Sequence, residues 1–71
     1  MVYTDGVHLV ADNVWELHTF AKSIGLRRSW FQDGHIPHYD LTTKRKARQA
    51  IDVGAKKISV REIVMMSRLG T

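Results

Sequence analysis

"NVWELHTFAKSIGLRRSWFQ", residues 13–32, is the stretch on which the fold turns. Asn13 stands before an apolar-periodic run with Glu16 three residues on, the arrangement of a capping box. Leu17, Phe20, Ala21 and Ile24 then recur on one helical face, and Gly25 follows where a helix can close through a left-handed residue. The spacing predicts a helix over 14–24. Beyond the glycine the pattern changes: "LRRSWFQ" (26–32) roughly alternates and is rich in aromatics, which predicts a strand.

Working outward, "VYT" (2–4) and "VHLV" (7–10) read as short strands around Asp5-Gly6, a dipeptide that favours a two-residue hairpin turn. On the other side, "DGHIP" (33–37) reads as a loop and "HYDL" (38–41) as a short strand. Thr42 is the expected N-cap of a second helix, 43–53, with Ala47, Ala50 and Ile51 on its apolar face and Gly54 closing it. "AKKIS" (55–59) returns as a strand, and Ser59 with Glu62 forms a capping box for a third helix, 60–69. The phrase helix–Gly–apolar–basic–basic occurs twice, in "KSIGLRR" and "IDVGAKK", as a recurring helix-to-strand connection. The expected fold is α/β in the α+β sense: one domain over 1–71, with a short mixed sheet of three to five strands packed with three helices.

Size limits what such a domain can do alone. At 71 residues a single core supplies only about 3–5 kcal/mol of net stability, and with no cysteine there is neither disulfide nor thiolate metal site to add to it. The third helix has Val60, Ile63 and Val64 on one side and Met65, Met66 and Leu69 on the others, so it asks for cover on more than one face. Both points predict a homo-oligomer. No signal sequence or membrane span is read from the chain, and the expected location is cytoplasmic.

Eleven Lys and Arg against seven Asp and Glu give a net charge of +4. Six of the basic side chains fall in residues 42–57 (Lys44, Arg45, Lys46, Arg48, Lys56, Lys57) against Asp52 alone, so the excess is a patch. A basic patch concentrates anionic partners such as nucleotides, nucleic acid or an acidic protein face. Its placement is unusual, because a helix start already carries about half a positive charge and free N–H groups. Lys44, Arg45 and Lys46 in the first turn oppose folding slightly but would hold an anion well, with Thr42 and Thr43 offering hydroxyls. Trp30, Phe31 and Tyr39 lie nearby in sequence, and aromatics beside cations suit a nucleobase with its phosphate. Phe31 is expected to face the core, with Trp30 and Gln32 on the opposite side, while Arg27 and Arg28 could reach the same site.

The histidines offer weaker signals. His35, His38 and Asp40 form H-x-x-H-x-D, which on paper is a two-histidine, one-carboxylate metal set, yet His35 sits in a loop that reads as surface; no metal or other cofactor is expected. His8 and His38 could act as an acid–base pair on a phosphodiester, with Asp40 beside them, but the paired H-x-[ST] signature of two-histidine phosphoesterases is absent. His38 would otherwise donate to a bound anion or to Asp40, and His18 reads as a partly buried structural histidine. No nucleophile elbow, phosphate-binding glycine loop or dinucleotide fingerprint is present.

"VYTD" (2–5), "HLVAD" (8–12), "ELHTFAKSIGLRRSWFQ" (16–32), "HYDLT" (38–42), the basic pair Arg45-Lys46 and "GA" (54–55) together resemble the small phage and bacterial proteins grouped as domain of unknown function 4031. Members of that family usually carry a longer segment where this chain has only Asp5-Gly6-Val7. The resemblance implies a compact α/β domain without an established activity, and its motif takes in His8, His18, Trp30, Gln32, His38, Asp40, Arg45 and Lys46.

The sequence thus predicts a binding protein for a phosphate-bearing ligand, nucleotide or nucleic acid. The site would comprise Thr42, Lys44, Arg45, Lys46, His38, Arg28, Trp30 and Gln32. Two alternatives stand beside it: a phosphodiesterase using His8, His38 and Asp40, or an inhibitor whose basic face binds an acidic host protein.

Overall fold

A computed structural model of the chain describes residues 1–34 and 36–69, with side chains through Met65. The elements run β1 (Val2–Thr4), β2 (His8–Ala11), α1 (Val14–Ser23), a 3-10 turn (Arg28–Trp30), β3 (Phe31–Gln32), β4 (His38–Asp40), α2 (Lys44–Val53), β5 (Lys56–Lys57) and α3 (Val60–Leu69). The five strands form one mixed sheet in the order β3-β4-β2-β1-β5. β5 runs parallel to β1, and the other pairs are antiparallel. The architecture is α+β, as expected, with three helices.

Local chemistry accounts for the helix ends. Asn13 Oδ1 accepts from the Glu16 N–H at 2.8 Å, and Ser59 Oγ accepts from the Glu62 N–H at 3.1 Å. The twice-occurring glycine phrase is one closure used twice. At Gly25 (φ 80°) the Leu26 N–H reaches Ala21 O and the Gly25 N–H reaches Lys22 O. At Gly54 (φ 123°) Ala55 N–H reaches Ala50 O and Gly54 N–H reaches Ile51 O. This paired bonding satisfies the last carbonyls and turns the next apolar residue inward. Leu26 and Ala55 are accordingly both buried.

Beside shifts of one residue in the strand expected over 7–10 and at the ends of the helix 14–24 and the strand 38–41, four sequence-based boundaries are corrected. The second helix is capped by Thr43, whose Oγ1 accepts from the Lys46 N–H at 3.1 Å, rather than by Thr42. One residue earlier the backbone is still tied to the sheet side, with the Leu41 N–H bonded to Val7 O. The strand over 26–32 shrinks to Phe31–Gln32, because no strand lies alongside until Tyr39 pairs with Phe31; the preceding residues curl into a turn closed by Trp30 N–H to Arg27 O at 2.9 Å. The strand over 55–59 is likewise only Lys56–Lys57, since β1 offers it only Tyr3 and Thr4 as partners. The Asp5-Gly6 turn is wider than a two-residue hairpin. Thr4 pairs with Leu9, and the Asp5 side chain fills the turn by accepting from the Val7 and His8 N–H groups.

Strand alternation divides the side chains between two faces. Leu9 and Tyr39 join Leu17 and Ala21 of α1, Ile24 just past its end, and Ala50 of α2 in the main core. Val10 instead meets Ile58 and Ile63 in a smaller cluster under α3, with Tyr3 and Ile36 at its margin. Within α2, Ala50 is buried and Ala47 packs against the main core, whereas Ile51, expected on the apolar face, is 40% exposed. On α3, Ile63 is buried while Val60, Val64 and Met65 are exposed; the expectation for Met66 and Leu69 concerns side chains outside the described set.

Candidate functional site

The register of β2 and β4 decides which polar groups meet. His8 lies directly across from Asp40 and Leu9 across from Tyr39. Since neighbours along a strand alternate, His8, His38 and Asp40 share the face opposite Leu9 and Tyr39. The rings of His8 and His38 meet edge to face with centroids 5.4 Å apart. One ring nitrogen from each and a carboxylate oxygen of Asp40 all lie within 4.8 Å of one another.

Each member is held from behind. His8 Nδ1 lies 2.9 Å from Asp5 Oδ2, and His38 Nδ1 lies 2.7 Å from the Ile36 carbonyl oxygen. A carbonyl can only accept, so His38 carries its proton on Nδ1 and leaves Nε2 free when neutral. A deprotonated Asp5 carboxylate sets the same tautomer on His8. Asp40 accepts a hydrogen bond from the Gln32 side-chain amide, and His38 Nε2 lies 3.4 Å from its other oxygen. The Asp5 side chain is almost completely buried. Burial pushes its carboxyl up, but the bonds from the His8 ring, the His8 N–H and the Val7 N–H outweigh that and hold it below the ordinary carboxylate value.

Beside this cluster lies a cleft of about 280 Å³ between the sheet and α3. Asp5, His8 and His38 form its polar end, and Val10, Ile36 and Ile63 contribute to a wall that is almost wholly apolar. Its size is near the lower end of small-molecule sites, about 300–1,000 Å³.

The basic residues are distributed differently. α2 packs through Ala50 on the Tyr39 side of the sheet, so its first turn belongs to the face opposite His38 and Asp40. Thr42, Lys44 and Arg45 are exposed there. Lys46 is half-buried, and its Nζ donates to Ile24 O at 2.5 Å, at the carbonyl end of α1. A cation at a helix C-terminus stabilises it, so this lysine answers to α1 rather than to its own helix start. Arg28 stacks over Phe31 at 5.0 Å, and Trp30, 42% exposed, carries Arg27 over its ring at 5.9 Å. The structure therefore brings His8, His38, Asp40 and Gln32 together and leaves Thr42, Lys44, Arg45, Lys46, Arg28 and Trp30 outside that cluster. His35 lies outside the described residues.

Asp5 was legible only as a turn residue. The signal that could have marked it is its spacing of three from His8, which lets one carboxylate serve both the turn and the ring. Tyr39, an aromatic candidate for ligand contact, is buried, and its hydroxyl lies 2.7 Å from His18 Nδ1. His18 is thus a structural histidine between Tyr39 and Phe31, with its pKa lowered by burial and then by Arg28.

The model of the family described as "Protein of unknown function (DUF4031)" matches residues 4–69. The chain belongs to that family. No curated protein and no solved structure matches it. The match to DUF4031 takes in every member of the histidine cluster and all of the sheet except Val2 and Tyr3. No helix among the described residues is long and apolar enough to cross a membrane.

Proposed function

We propose that this DUF4031 protein binds a phosphate-bearing ligand, a nucleotide or a nucleic-acid end, in the cleft beside His8 and His38. The observation that carries the reading is the meeting of two imidazoles with both Nδ1 atoms occupied, at the polar end of an otherwise apolar cleft. Once protonated, the two imidazoles present Nε2–H donors to phosphoryl oxygens, and the wall formed by Val10, Ile36 and Ile63 suits a base or sugar. The net charge of +4 supports an anionic partner by raising its local concentration. Relative to the sequence-based expectation, the ligand moves from the start of α2 to the other face of the sheet, because Lys46 is engaged with α1.

A second reading is favoured by the Asp5–His8 bond. A carboxylate on Nδ1 is how a general base is oriented, so His8 would take a proton from a water attacking phosphorus, and protonated His38 would give one to the oxygen that leaves as the P–O bond of the phosphodiester breaks. Exposed Val60, Val64 and Met65 on α3 also support self-association, which sedimentation would report directly.

A thermal-shift screen tests the main reading, using mono-, di- and cyclic nucleotides and short oligonucleotides with wild type and His38→Ala. A ligand at a hundred times its dissociation constant adds about 2.7 kcal/mol, several degrees in so small a domain. A shift lost in His38→Ala and kept in Arg45→Ala is expected. Dependence on Arg45 alone would return the ligand to α2, and no shift with any of them would leave the basic helix to a protein partner.

A further inference from the structure

We infer that His8, His38 and Asp40 form a binding site for a divalent transition-metal ion, with zinc the best match. This goes beyond the proposed ligand and rests on the three side chains and what stands behind them. The donor set is two imidazoles and one carboxylate on one face of two paired strands, with all three donor atoms within 4.8 Å. Imidazole nitrogen with carboxylate oxygen is a donor set for zinc and its first-row neighbours rather than for calcium or magnesium.

Metal-binding histidines almost always donate their other N–H to a carboxylate or carbonyl, which fixes tautomer and ring orientation. Both histidines do so here: His8 to Asp5 Oδ2 at 2.9 Å, His38 to Ile36 O at 2.7 Å. The third donor, Asp40, is steadied by Gln32 on the oxygen that His38 does not approach. Two side chains, Asp5 and Gln32, and the Ile36 carbonyl thus hold the three donor side chains in place.

The simpler explanation is a His38–Asp40 ion pair. At 3.4 Å that contact is longer than the about 2.7–2.9 Å of a charge-assisted bond. Among the described residues, no lysine or arginine comes within ion-pair distance of Asp40. With both imidazoles neutral the cluster carries the negative charge of Asp40 backed by that of Asp5, which favours a cation and opposes a bare phosphate. Zinc bonds of about 2.0–2.1 Å would draw the donors to roughly 3.3 Å apart, a movement open to His8 and Asp40 because their side chains are 39% and 42% exposed. Three protein donors with that exposed side leave room for water or a phosphoryl oxygen, as catalytic rather than structural zinc sites do.

The test is calorimetric titration of the full chain with Zn²⁺ alone, without nucleotide. One equivalent is expected to bind, with loss of binding in His8→Ala, His38→Ala and Asp40→Ala and about 10–100-fold weakening in Asp5→Asn. Circular dichroism checks that each variant is folded. Absence of binding to wild type would overturn the inference. So would binding that survives His8→Ala but fails in His35→Ala, since the ion would then sit on the H-x-x-H-x-D stretch instead. Repeating the nucleotide screen in a chelator separates the two proposals. A nucleotide shift in the chelator, with no zinc binding, would sink the metal and keep the ligand; zinc binding without any nucleotide shift would do the reverse.

Discussion

The two faces of this sheet were built from the same strands and came out chemically opposite. On the α1–α2 face, Leu9, Leu17, Ala21, Ile24 and Tyr39 make an apolar core that also holds the His18–Tyr39 pair. On the α3 face, His8, His38, Asp40 and Gln32 stand beside a cleft that α3 only partly covers. One face holds the domain together. The other places two imidazoles and a carboxylate at half-buried strand positions, and such polar sets on a rigid scaffold are where binding is found.

The contrast breaks most visibly at its extremes. Leu17→Ala, in a residue 1% exposed, should cost about 3 kcal/mol or more, enough to unfold much of a domain this small. His38→Ala should cost under about 1 kcal/mol. Urea titration of both variants measures the gap; similar losses would mean that the α3 face is structural after all.

Asp5→Ala comes next. It removes acceptors for two backbone N–H groups and a ring N–H in an almost fully buried spot, for an expected loss of about 2–3 kcal/mol. Melting curves would register this, and Asp5→Asn should recover part of it, because the amide oxygen can still accept from the turn. A neutral effect would mean that the turn does not depend on this carboxylate.

A smaller effect separates the lysines. Lys46→Met, which loses the bond to Ile24 O, should cost about 1 kcal/mol. Lys44→Met, at an exposed first-turn position, should be neutral or slightly stabilising. Equal behaviour in chemical denaturation would contradict the assignment of Lys46 to the end of α1.

pH gives the mildest test. Burial lowers the His18 pKa, so the unfolded chain, titrating near about 6.5, takes up that proton first. Its contribution is fully present above about pH 6.5 and falls as the pH drops below it. Asp5, with a depressed value, contributes above the ordinary carboxylate range, and that part is lost only in stronger acid. Melting temperature should therefore sag below about pH 6.5, ahead of the acid transition, with a shallower sag in His18→Gln. An unchanged slope in that variant would place the titration elsewhere.

What the sequence disclosed was the chemistry that acts over three to five residues. Asn13 with Glu16, Ser59 with Glu62 and the closures at Gly25 and Gly54 were all readable because each cap and its partner are neighbours. The error at Thr42 arose where two adjacent threonines offered the same hydroxyl, and a distant bond from Leu41 to Val7 chose between them. His8, His38 and Asp40 could be picked out as residues, but the meeting of His8 with Asp40 follows from a strand register spanning 32 positions. Lys46 looked like an anion ligand for the same reason: its partner, Ile24 O, is 22 residues away.

Amide chemical-shift mapping of the ¹⁵N-labelled protein during titration with a nucleoside phosphate tests whether the α3 face is the one that binds, as proposed. The amides of His8, Ile36, His38 and Ile63 should move while those of Lys44, Arg45 and Lys46 stay in place. Movement confined to residues 43–47, with the cleft unchanged, would contradict it.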